Sequence, residues 1–207
     1  MKLAREAEFS LTDTLKLGAW LSCPLPNFSI VNRLFFCILR ERYAYSALSP
    51  VALDTLASLT PIVELGAGNG YITWLLRQLG ADVVAFDAFP VEEGKNWFFN
   101  TRFGLPTKSG KSWTSVDKGD ARKLVPLSNR TLLLCWPPKN SMALDSLRYF
   151  EGPNLALITD RTCCASKAFY IELERNWTLE YTGETGSWSS CHVETMEIYT
   201  RKESANQ

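Results

Sequence analysis

The sequence predicts an α/β fold built on a mostly parallel seven-stranded sheet. Three observations carry this. From Pro61 onward, short β-branched or apolar runs alternate with helical stretches, the mark of a parallel sheet covered by helices. One of these runs passes into a helix through Glu64-Leu65-Gly66-Ala67-Gly68-Asn69-Gly70-Tyr71, a glycine-rich turn of the kind found where a chain approaches a ligand. The last two apolar runs, 177–182 and 193–200, are joined by the turn-rich link 183–190, which suits an antiparallel hairpin at the edge of the sheet.

Taken in order, the first sixty residues read as helices, over about 11–21, 30–42 and 50–59. Pro24 and Pro26 break the first from the second, and Ser49-Pro50 supplies an N-cap and first-turn pair for the third. Strands are expected at 62–65, 82–86, 113–116, 131–135 and 156–159, and helices at 71–79, 91–99, 141–150 and 165–175. This divides the chain into an N-terminal helical extension (1–60), a core domain (61–201) and a short polar tail (202–207).

Composition narrows the function. The chain has 207 residues, 46% hydrophobic and 21% charged, enough for one sizeable core. Twenty-two basic residues balance twenty-two acidic ones, so no long-range field favours nucleic acid or an anionic membrane. Residues 1–11 interleave charge with apolar side chains, unlike a secretory signal, and the apolar run 30–39 is too short to span a bilayer. The reading is cytoplasmic. Six cysteines without a C-x-x-C pair, and one histidine, give no metal-ligand spacing; Cys163-Cys164 reads as structural.

Four segments carry chemistry. In the glycine-rich turn, Gly66, Gly68 and Gly70 follow the strand-end acid Glu64; a dinucleotide loop would need a further glycine at position 71, where Tyr71 stands. Asp87 ends the next strand, 21 positions after Gly66, where a carboxylate takes both hydroxyls of a ribose. That geometry serves several nucleotide cofactors, and a helix-capping aspartate would look the same. Gly119-Asp120-Ala121 lies after the third expected strand, where an adenine would rest, and is equally a common turn. Leu132-Leu133-Leu134-Cys135-Trp136-Pro137-Pro138 is an apolar strand stiffened at its end. Trp136 and Pro137 read either as core or as a pocket wall with the Trp136 or Pro137 carbonyl facing a substrate.

Together these segments resemble the class I S-adenosylmethionine-dependent methyltransferases, and within them a poorly characterised methyltransferase-like family of eukaryotic microbes; the resemblance spans about 42–160. It implies a Rossmann-like methyltransferase fold with S-adenosylmethionine as cofactor. Gly66, Gly68 and Gly70 would lie along the methionine moiety, with Glu64 organising the loop and the cofactor's amino group. Asp87 would hold the ribose hydroxyls, Asp120 and Ala121 would border adenine, and Cys135 would lie against the cofactor. Trp136 and Pro137 would wall the acceptor site. Where amino-group methyltransferases of this kind carry Asn or Asp before Pro-Pro, this chain has Trp136, whose indole only donates. The acceptor pocket is expected near 43–45, 136–139 and 161–166, and the acceptor is expected to be a small molecule, with a protein acceptor as the alternative. A non-catalytic binding protein on the same fold is the alternative. A nicotinamide oxidoreductase comes third, since Tyr-x-x-x-Lys is absent from the chain.

Overall fold

The structure, a computed structural model, describes residues 43–91, 112–186 and 193–203. The helices expected at 11–21 and 30–42, nearly all of that at 91–99, and most of the tail lie outside them.

Within the described residues the chain runs α1 (Pro50–Ser58), β1 (Ile62–Leu65), α2 (Tyr71–Gln78), β2 (Val83–Asp87) and β3 (Asp117–Lys118). A 3-10 segment (Ala121–Leu127) follows, then β4 (Thr131–Cys135), α3 (Met142–Tyr149), β5 (Asn154–Thr159), α4 (Lys167–Asn176), β6 (Trp177–Glu184) and β7 (Thr195–Arg201). The seven strands form one sheet in the order β3-β2-β1-β4-β5-β7-β6. The first five are mutually parallel. β7 runs antiparallel to both β5 and β6. Six strands therefore share one direction and β7 alone opposes them, which is the mostly parallel sheet with a terminal antiparallel hairpin that the sequence predicts.

Local signals explain the helix starts. Ser49 caps α1 by accepting from the Ala52 N–H at 3.2 Å, with Pro50 in the first turn. Ser166 caps α4 by accepting from the Phe169 N–H. α2 begins directly after Gly70, whose φ of 76° only glycine adopts without cost.

The core divides along the pleat. Leu132, Leu134, Leu155 and Leu157 face α3 and α4, packing on Ala143, Leu147, Phe169 and Leu173. Ile62, Leu133, Ala156 and Ile158 face α1 and α2, packing on Leu53, Leu56, Ile72 and Leu76. Alternate residues thus serve opposite layers, so both faces of β4 and β5 are dry.

Beyond shifts of one or two residues at the ends of β5, β6, β7 and the helices, three features differ from expectation. β2 starts one residue later: the Asp82 N–H donates to Thr60 Oγ1 at 2.9 Å rather than into the ladder. The third strand is not 113–116 but the two residues Asp117–Lys118. Trp113 is drawn instead into an aromatic group with Tyr43, Tyr71 and Trp74, while Arg77 holds Thr114 at 2.6 Å, so pairing with β2 begins only at Asp117. The 3-10 segment was not expected; Asp120 caps it, and Pro126 inside it prevents a regular α-helix.

Leu133 is fully buried at the centre of the sheet. Leu133→Ala is expected to cost about 2–5 kcal/mol, read as a lowered denaturant midpoint with an unchanged slope.

Candidate functional site

In this strand order β1 lies between β2 and β4, and the chain's progress across the sheet reverses there. At such a switch point the loops leaving the carboxyl ends of the strands diverge and open a crevice. The glycine-rich turn leaves β1 at that point. Its frame is backbone: the Gly66 and Ala67 N–H groups both donate to the Phe86 carbonyl, at 2.8 and 3.1 Å. Its tip is held by a side chain, since the Gly68 N–H donates to Asp87 Oδ2 at 2.8 Å while Asp87 Oδ1 accepts from the Phe89 N–H.

The three glycines have different surroundings. A Cβ on Gly68 would meet no atom within 4 Å, so this peptide faces open space. On Gly66 it would meet only the terminal methyl of Met142, a flexible side-chain end, and on Gly70 it would strike Val116 and Thr114. The open face of the turn is therefore Gly68, and Gly70 serves packing of the segment before β3.

Glu64 sits inside, 2% exposed, accepting a hydrogen bond from the Thr73 hydroxyl on α2. Burial, reinforced by the Asp87 charge, raises its pKa from 4.5 to about 7. It braces β1 against α2 beneath the turn. Gly119 ties to the Asp87 carbonyl at 2.9 Å, which brings Asp120 to the strand end neighbouring Asp87. Asp120 is exposed and engaged by Arg122, which holds its carboxyl at a pKa of about 2; Ala121 beside it is buried.

At the end of β4, burial, with the charges of Glu194 and Glu64 behind it, pushes the Cys135 thiol well up, so it is a neutral packing group. Cys135, Cys163 and Cys164 are all free thiols, and the described residues contain no cluster able to hold a metal. Trp136 takes a left-handed φ of 51°, rare for a bulky residue, and its indole N–H donates to Glu194. The ring lies 5.6 Å from that of Tyr45. Pro137 is buried, and its carbonyl accepts from the Ala165 N–H at 2.8 Å. The Pro137 carbonyl that sequence reasoning offered to a substrate is thus spent on the loop after β5.

Two groups went unnoticed in the sequence. Glu194, 6% exposed, gathers the Trp136 indole and the hydroxyls of Ser46 and Thr185. On the other face Arg161 makes a fork with Glu197, at 3.1 and 2.9 Å, and donates to the Tyr199 hydroxyl at 2.7 Å. The available signal was an acid at each of two nearby positions in the otherwise apolar run before and within β7. Of the segments expected to build an acceptor pocket, 43–45 meets Trp136, whereas Lys139, Arg161 and Ser166 share a separate cavity of about 470 Å³ with the first turns of α4.

No protein-family model matches the chain, and no curated protein matches its sequence. Solved structures share the fold. A protein from Pyrococcus horikoshii OT3 is 14% identical, over 85% of this chain and 100% of its own, with a TM-score of 0.50. Magnesium protoporphyrin IX methyltransferase from Synechocystis PCC 6803, solved with bound S-adenosylmethionine, is 12% identical over 86% and 87%, with a TM-score of 0.47. A member of the NADB-Rossmann superfamily from Streptococcus agalactiae is 13% identical over 75% and 69%, with a TM-score of 0.46. At these identities the likeness is one of fold.

Glu64 makes stability depend on pH in a defined direction. Its folded pKa lies above its unfolded value, so its contribution is fully present below about 4.5 and is lost as pH rises through about 7. Glu64→Gln removes this loss. Between pH 4.5 and 8 the stability of the variant relative to the parent should therefore rise, by about 3 kcal/mol, in denaturation curves at the two pH values. Trp136→Phe keeps an aromatic ring but strips Glu194 of one donor, and an expected loss of about 1–3 kcal/mol would show in the same assay.

Proposed function

We propose that the protein binds S-adenosylmethionine at the β1–β2 crevice and transfers its methyl group to a small-molecule acceptor. The observation that carries this is the pairing of an open Gly68 peptide with the Asp87 carboxylate at the switch point. The residues present fit the cofactor. Gly68 leaves room for a main chain to lie against it, and Met142 over Gly66 needs only a rotamer change. Asp87 spends one lone pair of each oxygen on a backbone N–H, so each keeps capacity for a ribose hydroxyl.

The cofactor, once bound, supplies a sulfonium methyl already activated for in-line displacement, so the chain's task is to place two reactants and exclude water. On this reading Gly66 and Gly68 border the amino-acid end, and Glu64 holds the turn from below. Asp87 takes the ribose, while Asp120 and Ala121 border adenine. Cys135 adds a neutral, apolar wall, and Trp136 with Pro137 closes the crevice on the acceptor side.

A binding protein without transferase activity is the second reading, and the Trp136–Glu194 hydrogen bond favours it. The position that carries an acceptor for a target amine in amino-group enzymes here holds a donor already committed to the protein's own carboxylate. A nicotinamide enzyme is disfavoured by Tyr71, a core residue 1% exposed where a dinucleotide loop needs glycine.

Calorimetric titration separates these readings at the cofactor. S-adenosylmethionine and S-adenosylhomocysteine should bind and NAD should not. Asp87→Ala should weaken both by roughly ten- to a hundredfold, the worth of charge-assisted bonds to two hydroxyls. Binding of NAD alone, or an undiminished affinity in a folded Asp87→Ala variant, overturns the assignment.

A further inference from the structure

The cavity of about 470 Å³ beside the β4 and β5 ends lies outside the Gly68–Asp87 crevice, and its walls are cationic. Lys139 comes from the loop after β4, Arg161 from the loop after β5, and Lys167 from the first turn of α4.

Arg161 is built into place rather than waving from the surface. Glu197, only 6% exposed, grips Nε and Nη2, and the Tyr199 hydroxyl accepts from Nη2 as well. The Tyr170 ring stacks 5.0 Å from its carbon, and Tyr170 is itself fixed by Thr159 at 2.8 Å. This leaves Nη1 as the free edge of the guanidinium, facing Glu174 at a loose 3.7 Å from a side chain that is 70% exposed. An arginine backed by a buried carboxylate keeps its orientation without losing its remaining donors, which suits planar recognition of an oxyanion.

The other two cations lack acidic partners among the described residues. The Lys139 ammonium is steered by a neutral group, the Thr162 carbonyl at 2.7 Å, so its charge stays uncompensated. Lys167 makes no ion pair with any described residue. Among the lining residues three cations face one acid, the exposed Glu174, while Glu197 and Asp160 are buried behind the wall. Ser166, at the cavity edge, caps α4 by accepting from the Phe169 N–H. A cavity of this size holds a drug-sized ligand.

We propose that this cavity binds the phosphate group of a phosphorylated small molecule, through Lys139, Lys167 and the free edge of Arg161. Glu174 swings aside as the phosphate enters. The cavity lies apart from the crevice, so the anion site stands independently of the transferase reading.

The test uses the full chain with phenyl phosphate as probe, phenol and benzoate as controls, and S-adenosylmethionine titrated into the same preparations. Phenyl phosphate should bind, phenol should not, and benzoate should bind at least severalfold more weakly, since a dianion meets more of the cations. Lys139→Glu with Lys167→Glu, both surface changes outside the core, should weaken phenyl phosphate by tenfold or more and leave S-adenosylmethionine affinity unchanged. Added salt should weaken the phosphate interaction further. Benzoate binding as tightly as phenyl phosphate, no phosphate binding, or binding that survives the double substitution overturns the proposal. Failure of S-adenosylmethionine alone to bind overturns the transferase reading and leaves the anion site standing.

Discussion

The ladders that join β4 to β1 on one side and to β5 on the other constrain the rest of the molecule, because they run through strands with no wet face. Leu132, Leu133 and Leu134 are wholly buried, and so are Leu155, Ala156, Leu157 and Ile158. Every backbone polar group in these strands is consumed by pairing, and neither face can carry an unpaired polar side chain at reasonable cost. Chemistry can therefore emerge only where the ladders stop. Gly68, Asp87, Asp120, Trp136 and Arg161 are all strand-end or loop residues for this reason.

Four carboxylates among the described residues break the apolar rule; Asp160 accepts locally from the Thr162 N–H and hydroxyl, and the other three are resolved across the fold. Glu64 is buried with no cation bonded to it, only Thr73 donating, and responds by holding its proton near neutrality. Glu194 collects three donors from three separate loops and so ties the segment before α1 to the ends of β4 and β6. Glu197 has a guanidinium opposite it and is held below the usual carboxylate range despite its burial. Buried polar groups of this sort add little net stability but penalise any arrangement that separates them, which favours one relative placement of the loops.

Much of this was legible in the residues. The limits of β4 coincide with the apolar run 131–135, because a strand buried on both faces reads as unbroken hydrophobicity. The glycine turn and Asp87 were readable from spacing alone, since both are properties of backbone geometry. What escaped were arrangements made between distant segments. Trp113 looked like strand because it is aromatic among β-formers, yet its partners Tyr43 and Tyr71 lie far off in sequence. Glu194 and Glu197 carry no local signal, for no pattern in their neighbours reports that Ser46, Trp136 or Arg161 will fold against them. Asp120 was read as an adenine contact or a turn residue; the local cap it makes for the 3-10 segment depends on its neighbour Arg122.

The position of β7 carries a consequence for how the chain is assembled during synthesis. β7 follows β6 in the chain but lies inside it in the sheet, between β5 and β6. On the ribosome, β6 emerges with nothing to pair with, and the outer edge of β5 stays open until residues 195–201 are free to enter. A nascent chain stalled before that point would present two unpaired β edges, the feature by which strands recruit foreign strands. Sheet completion thus waits for β7 to emerge, and chaperone demand should peak just before it.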